Sequence, residues 1–212
     1  IFFVLCFKTA IILPLLLLLL VINFVGFENL YYQQKFSENG FDNAQALPLH
    51  EKVIDFIKGE SNELPNEFNE REKQHLWDVK KIVRISSVAL YVFIGLFILL
   101  LIVSAFVLKI NNYIINFIGK VLIFGGFLTV ILAAVLFFLI NFNFESTFEA
   151  FHKTFFEKGS YIFDPTKEII VNLYPEKLFQ EFAARISKWV ILSSAAIILL
   201  GAFMLMKSGS KK

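Results

Sequence analysis

The sequence contains one cysteine, Cys6, and three histidines, so it has few residues that bind metals or carry redox chemistry. A single thiol cannot form an internal disulfide, and it matches no Cys-x-x-Cys motif. His50, His75 and His152 are widely separated and match no ligand spacing typical of zinc. We therefore expect no metal and no cofactor.

The signatures of several large enzyme classes are also missing. The sequence has no G-x-S-x-G motif of serine hydrolases, no phosphate-binding P-loop and no glycine-rich dinucleotide fingerprint. Its formal net charge is only +2, and no cluster of basic residues is typical of a nucleic-acid interface. Nucleotide-dependent enzymes and nucleic-acid-binding proteins are therefore disfavoured.

Charged residues are nearly absent from four long apolar segments. A helix of about 20 apolar residues is long enough to cross a ~30 Å hydrocarbon core. The predicted spans are Thr9–Phe27, Ile85–Leu108, Val121–Ile140 and Ile186–Met206. Pro14 lies inside the first of them, which we predict as one span because packed membrane helices tolerate proline.

Four spans place both termini on one side of the membrane and the loops 28–84 and 141–185 on the other. Every acidic residue and all three histidines fall in these two loops. The absence of Asp and Glu from the spans argues against ion- or proton-coupled transport, which usually needs ionisable groups at mid-membrane. Lys and Arg border both sides, so the positive-inside rule leaves the orientation open.

The first loop carries local signals of a folded structure. The spacing of Val53 and Phe56 predicts a helix that ends at Gly59, a residue typical of helix C-termini. Asn69, followed three residues later by Glu72, predicts the start of a second helix. The apolar pattern after it indicates that this helix continues into the second span.

The second loop predicts a different local structure. An aromatic stripe continues from the third span, at Phe144, Phe148, Phe151 and Phe155. The β-branched and aromatic runs on either side of Asp164-Pro165 predict a hairpin over Tyr161–Tyr174. Pro175 then predicts the start of a helix that feeds the fourth span. The expected fold is a mainly α membrane protein, one domain over residues 1–212, with four transmembrane helices and a small α+β cap.

Two histidines share a predicted helical face with an acidic residue. His75 precedes Asp78 by three residues, and His152 follows Glu149 by three. At this spacing a carboxylate could orient the imidazole for acid–base chemistry. A structural histidine with an ordinary hydrogen bond produces the same pattern, so both interpretations stay open.

Four short segments occur in a fixed order around the spans: His75–Val79, Phe151–Phe156, Tyr161–Pro165 and Asn172–Glu176. Together they resemble the lipoprotein intramolecular transacylase (Lit) family of Gram-positive bacterial membrane proteins. The resemblance covers nearly the whole chain. It implies an intramembrane acyltransferase that moves the sn-2 acyl chain of a diacylglyceryl-cysteine lipoprotein to the α-amine of that cysteine, which gives a lyso-form lipoprotein.

The resemblance also implies a location and partners. It implies a multi-pass cell-membrane protein with an extracellular cap and cytoplasmic termini, whose partners are a diacylated lipoprotein and membrane lipid. Because the acceptor amine belongs to the substrate, the reaction needs no enzyme nucleophile. It needs a base for the amine and an acid for the departing glycerol oxygen, and histidine suits both roles near neutral pH.

We expect His75 and His152 to be the acid–base pair, with Asp78 orienting His75. Their rings should lie within roughly 10 Å of each other and open onto a pocket near the membrane interface. Backbone amides, Tyr174 or Asn172 are candidate donors to the tetrahedral oxyanion. Asp164, together with Asn172, is expected mainly to stabilise the hairpin turn.

Two other classes of function remain open from the sequence. One is a different interfacial lipid enzyme, such as a hydrolase, which could be metal-assisted. The other is a non-catalytic polytopic membrane scaffold or binding protein that uses the cap as a docking surface. The second alternative predicts that His75 and His152 tolerate substitution without loss of function.

Overall fold

The structure is a computed structural model that describes residues 1–38, 43–108 and 114–209. It does not describe the side chain of Asn43 or the exposure of Gly209. These residues form nine helices and no strand. In chain order the helices are α1 (Phe2–Ala10), α2 (Leu13–Val25), α3 (Asn29–Glu38), α4 (Asn43–Lys58), α5 (Glu70–Leu108), α6 (Ile114–Phe142), α7 (Phe144–Phe155), α8 (Ile169–Leu173) and α9 (Glu176–Gly209).

Four stretches within the described residues are helical, long and apolar enough to cross a membrane, which confirms the predicted number of spans. They are α1 together with α2, then α5, α6 and α9. The 39 residues of α5 extend over about 58 Å, roughly twice the hydrocarbon thickness. All charged residues of α5 lie in its first part, residues 70–84, so the membrane-spanning part is Ile85–Leu108. The chain is a multi-pass membrane protein.

The first span differs from the prediction in its start and its continuity. The helix begins at Phe2 rather than Thr9, and it is interrupted between Ala10 and Leu13. Pro14 explains the interruption, because its ring has no N–H to donate and would collide with the carbonyl of Ala10 in a continuous helix. The predicted single helix is therefore two shorter ones.

The chain divides into two compact units. The first comprises Ile1–Ile22, Val88–Phe138 and Arg185–Lys212, and the second comprises Asn23–Ser87 and Leu139–Ala184. The single domain over residues 1–212 stays a prediction.

The first unit contains close helix packing through glycine. A Cβ atom on Gly201 of α9 would lie 2.7 Å from the carbonyl oxygen of Gly119 in α6. A Cβ atom on Gly119 would lie 2.9 Å from the carbonyl oxygen of Gly201. Glycine lets membrane helices approach closely enough to gain dispersion contacts along their backbones. Cys6 is a buried free thiol in the apolar cluster of the same unit.

The second unit, which we call the cap, has an apolar core of its own. Ten buried side chains form one cluster, including Phe36, Phe56, Leu76, Leu173 and Leu178. Burial of large aromatic and aliphatic side chains is the main contribution to the stability of such a core. The two loops that the sequence separates therefore fold together, and their described residues form helices and turns but no strand.

Both helix boundaries predicted in the first loop are confirmed. α4 ends at Lys58, and Gly59 has a φ of 84°, a conformation that glycine adopts without strain. At the start of α5, Asn69 Oδ1 accepts hydrogen bonds from the backbone N–H groups of Arg71 (2.9 Å) and Glu72 (3.0 Å). Glu72 Oε2 accepts one from the Asn69 N–H at 2.7 Å, which completes a capping box.

The hairpin predicted over Tyr161–Tyr174 is wrong, although its turn is present. The backbone N–H groups of Lys167 and Glu168 both donate to the Asp164 carbonyl, at 3.0 and 2.9 Å. The following residues form α8 (Ile169–Leu173) instead of a strand. A strand needs a paired neighbour, and no described residue forms a strand. The β part of the predicted α+β cap is therefore not found in the described residues.

Candidate active site

The structure brings two of the predicted site residues together within the second unit. His75 lies in the second turn of α5, and His152 lies near the end of α7. Their ring centroids are 6.3 Å apart and the rings are nearly parallel, at 14°. The expected convergence within roughly 10 Å is confirmed.

Aromatic side chains surround both imidazoles. Phe156 stacks on each of them, with centroid distances of 4.6 Å to His75 and 5.3 Å to His152. Phe163 contacts His75 edge-on at 5.3 Å, and Tyr161 packs on His152 at 5.0 Å. Such surroundings have a low dielectric constant, which favours the neutral form of an imidazole.

His152 is held in one tautomer by its own helix. Its Nδ1 lies 2.8 Å from the carbonyl oxygen of Phe148. A carbonyl only accepts, so Nδ1 carries the proton, and in the neutral ring Nε2 carries the lone pair. Burial lowers the pKa of His152, and the Phe148 carbonyl and the charge of Glu176 oppose this effect. His152 is therefore a neutral base near pH 7.

His75 is the more deeply buried of the two, with 8% of its surface exposed. Its pKa is lowered to about 4, mainly by burial and in part by the charge of the nearby His152, while the charge of Asp78 opposes the shift. Its Nδ1 is buried and has no hydrogen-bond partner among the described residues. Because each imidazolium would repel the other, a proton on one ring disfavours a proton on the second.

The carboxylates predicted to orient the histidines form ion pairs instead. Asp78 Oδ1 lies 2.8 Å from Lys81 Nζ, and Glu149 Oε1 lies 2.6 Å from Lys153 Nζ. Asp78 acts on His75 through its charge, without a hydrogen bond. The shared helical face was predicted correctly, but a lysine on the next turn competes for each carboxylate.

Asp164 and Asn172 stabilise the turn, as expected. Asp164 Oδ1 accepts hydrogen bonds from the Thr166 N–H at 3.0 Å and from its hydroxyl at 2.7 Å. Asn172 Nδ2 donates to the carbonyl oxygens of Pro165 at 2.8 Å and Glu168 at 3.1 Å. The amide of Asn172 is therefore engaged with the turn.

Tyr174 contacts the third histidine rather than the pair. Its hydroxyl lies 2.9 Å from His50 Nδ1, and the His50 ring stacks on Tyr32 with a centroid distance of 4.1 Å. His50 is fully buried, and burial lowers its pKa to about 4. Burial also raises the pKa of Tyr174 well above its ordinary value. Tyr174 packs against the apolar core of the cap.

Three charged residues hold the second loop against α5. The sequence analysis did not predict this role for any of them. Arg71 donates to Glu168 Oε1 at 2.9 Å and to the Ile162 carbonyl at 2.8 Å. Glu72 is almost fully buried, and its Oε1 accepts a hydrogen bond from the Ile170 N–H at 2.7 Å. These contacts lie one turn before His75 on α5. The sequence predicted Glu72 as a capping residue of α5. It did not predict the hydrogen bond of the second carboxylate oxygen to a residue 98 positions away.

The arrangement supports proton transfer between two neutral groups. Neutral imidazole both accepts a proton at one nitrogen and donates one from the other. The two rings are close enough for one substrate group to contact both. No three His, Cys, Asp or Glu side chains within the described part of the chain are grouped so that they could hold a metal ion.

Comparison with known proteins identifies relatives of the whole chain. The family model described as "Lipoprotein intramolecular transacylase Lit" matches residues 7–179. The structure of the membrane-integral lipoprotein intramolecular transacylase Lit from Bacillus cereus has a TM-score of 0.84 at 20% identity, covering 99% of this chain and 98% of that one. No curated protein sequence gives a significant match.

Two further structures of the Bacillus cereus protein carry a replaced histidine. The variant with arginine in its place has a TM-score of 0.80 at 19% identity, covering 100% of this chain and 95% of that one. The variant with alanine has a TM-score of 0.77 at 20% identity, covering 99% and 96%. At these identities the similarity shows a common fold.

Proposed function

Because the chain belongs to the lipoprotein intramolecular transacylase family, and is therefore an acyltransferase of lipoproteins, we propose that it moves the sn-2 acyl chain of a diacylglyceryl-cysteine to the α-amine of the same cysteine. The product is a lyso-form lipoprotein with one amide-linked chain and one chain left on the glycerol. Donor ester and acceptor amine belong to one molecule, so the reaction needs no separate acyl donor.

The stacked pair of neutral histidines supports this proposal most strongly. His152 Nε2 is the general base, because Phe148 holds the proton on Nδ1 and leaves the lone pair on Nε2. The α-amine attacks the ester carbon as His152 removes a proton from the nitrogen. His75 then protonates the departing glycerol oxygen. The C–N bond forms and the C–O bond breaks, and the proton returned from His152 restores His75, so no proton is gained or lost overall.

The tetrahedral intermediate requires hydrogen-bond donors for its oxyanion. Tyr161 packs directly on the His152 ring, which makes its hydroxyl a better candidate than Tyr174 or Asn172. The hydroxyl of Tyr174 is bonded to His50, and the amide of Asn172 is bonded to turn carbonyls. Backbone amides remain candidates beside Tyr161.

The lipid substrate reaches His152 across the exposed aromatic face of α7. Phe151 and Phe155 of α7 are about half exposed and offer an apolar surface to acyl chains next to His152. The cap lies outside the cell and both termini lie in the cytoplasm, so the site meets lipoproteins on the extracellular leaflet. The partners are therefore the lipid-modified lipoprotein and the surrounding membrane lipid.

Mass spectrometry of a diacylated reporter lipoprotein tests the reaction. The purified protein should convert it in detergent without an added acyl donor, nucleotide or metal, and the total mass should not change. Tandem fragmentation should find one chain as an amide on the cysteine and one ester on the glycerol. Release of free fatty acid would instead indicate a hydrolase. A third chain gained from phospholipid would indicate an intermolecular N-acyltransferase.

Substitution of the histidines tests their roles. His152→Gln and His75→Gln should each lower the rate by about 10²–10⁴-fold, because each removes a proton-transfer group. Cys6→Ala is the control and should retain the activity, since the mechanism uses no thiol. Full activity in both histidine variants would contradict acid–base catalysis and favour a non-catalytic binding protein.

A further inference from the structure

A cavity in the second unit gathers positive charge beside the start of the apolar part of α5. It has a volume of about 430 Å³, and its lining includes Lys58, Lys80 and Arg84 beside Asn23 and Ser87. Lys58 lies at the end of α4, and Lys80 and Arg84 lie on α5. No acidic residue lines the cavity.

The three cations have no carboxylate partner among the described residues. Lys80 Nζ donates to the Ser61 carbonyl at 3.3 Å and lies 4.0 Å from the ring centroid of Phe56. Lys58 Nζ lies 5.6 Å from the ring centroid of Phe27. Lys81, the neighbour of Lys80, is by contrast paired with Asp78 at 2.8 Å. The cavity therefore concentrates unneutralised positive charge, which favours an anion.

One contact relates this cavity to the apolar segments of α2 and α5. Asn23 lies in the last turn of α2, and Ser87 lies at the start of the apolar part of α5. Ser87 Oγ lies 2.8 Å from Asn23 Oδ1, so the ends of two apolar segments are at the same height. This polar pair therefore lies at the ends of two apolar segments, where lipid headgroups are expected, and Phe27 adds an apolar ring to the cavity lining.

The cavity is separate from the histidine pair. Arg84 lies nine residues after His75 on α5, which is about two and a half turns and the opposite face of the helix. None of the residues that line the cavity belongs to the aromatic surroundings of His75 or His152. A ligand in the cavity would not compete for the site of acyl transfer.

We propose that this cavity binds the phosphate of an anionic phospholipid headgroup. Lys58, Lys80 and Arg84 bind the phosphate oxygens, and Asn23 and Ser87 contact the glycerol of the headgroup. Basic pockets beside membrane helices bind anionic headgroups in this way, and each cation near the surface contributes roughly fivefold to the affinity. The site is independent of the proposed transacylation.

Native mass spectrometry of the purified full-length chain, titrated with phosphatidylglycerol or phosphatidylcholine, tests the proposal. Phosphatidylglycerol should bind at least about tenfold more tightly. Lys58→Gln combined with Arg84→Gln should remove this preference, and each single variant should weaken it by about fivefold. Lys81→Gln is the matched control on the same helix and should keep the preference, because Lys81 is already paired with Asp78 and lies outside the cavity.

Two results would overturn the proposal. One is an unchanged preference for phosphatidylglycerol in the double variant, with circular dichroism showing that it is folded. The other is complete displacement of the lipid by inorganic phosphate, which would identify a site for the free anion. If the double variant does not fold, the two single variants decide the question, since both side chains are exposed.

Discussion

At the scale of single residues, burial separates three histidines that look alike in the sequence. His50 is fully buried beside Tyr174, and its hydrogen bond makes it part of the core. His152 keeps a lone pair on Nε2, because its backbone contact takes the other nitrogen. His75 is buried, and no described residue bonds to its Nδ1, a costly state for a buried polar atom.

The pKa of His50 predicts a loss of stability in mild acid. The folded value of about 4 lies below the ordinary 6.5, so between these values the unfolded chain binds a proton that the folded chain excludes. Stability is therefore complete above pH 6.5 and falls by up to about 3 kcal/mol as the pH approaches 4.

His50→Gln should weaken this pH dependence, because glutamine does not titrate. The measurement is the thermal unfolding midpoint at pH 7 and pH 5, followed by circular dichroism in detergent. The difference between the two midpoints should be smaller in the variant than in the parent. It should not vanish, since His75 also has a lowered pKa. An identical difference in both proteins would rule out the assigned role of His50.

At the scale of elements, tertiary capping decides the structure of α8. Its sequence, Ile-Ile-Val-Asn-Leu, has the local preference of a strand. Ile170 and Leu173, spaced by three residues, are both buried in the core of the cap. The Ile170 N–H at the start of the helix is satisfied by Glu72. A helix satisfies these conditions together, whereas an unpaired strand would leave its backbone groups without partners.

Glu72 should therefore stabilise the protein far more than its neighbour Glu70. Glu72→Ala removes the acceptor for the N–H groups of Asn69 and Ile170, and should cost about 2–4 kcal/mol of unfolding free energy. Glu70→Ala is the matched control, because Glu70 is exposed and its one ion pair within the described ranges is with Lys73. It should change stability by less than about 0.5 kcal/mol. Equal effects in thermal unfolding would show that the buried contacts of Glu72 contribute nothing.

The contact between α6 and α9 gives a second prediction at this scale. Gly201→Ala places a methyl group against the carbonyl oxygen of Gly119 and should destabilise the protein by about 1–3 kcal/mol. Gly95→Ala on α5 is the control, since no atom lies within 4 Å of its added Cβ. The unfolding midpoint in detergent should fall for the first variant and stay unchanged or rise slightly for the second.

At the scale of the whole molecule, the number of spans predicts which segments face the same side of the membrane. Single cysteines at Glu60 and Lys167, both exposed, should react with an impermeant thiol reagent on intact cells. A cysteine at Lys207 should react only after the membrane is opened. Cys6→Ala provides the background without a native thiol. Labelling of the first two positions from opposite sides would contradict the four-span arrangement.

The amino-acid sequence determined what depends on short stretches of chain. Four apolar runs predicted the spans, Gly59 predicted the end of α4, and Asn69 with Glu72 predicted the start of α5. Each signal is complete within one or two helical turns or within one run of apolar side chains, so no distant residue was needed to interpret it.

Only the tertiary structure decided how the long-range contacts formed. The residues after Asp164 form a helix rather than a hairpin because of contacts with distant residues. The pairing of Tyr174 with His50 also joins distant parts of the chain, as does the approach of His75 to His152 at 6.3 Å. Their energies come from a shared apolar core and from buried polar groups that must find partners. The convergence of His75 and His152 was predicted from the sequence. The partners of Tyr174, Asp78 and Glu72 were not, because a pattern of neighbouring residues does not show which distant or competing group will be present.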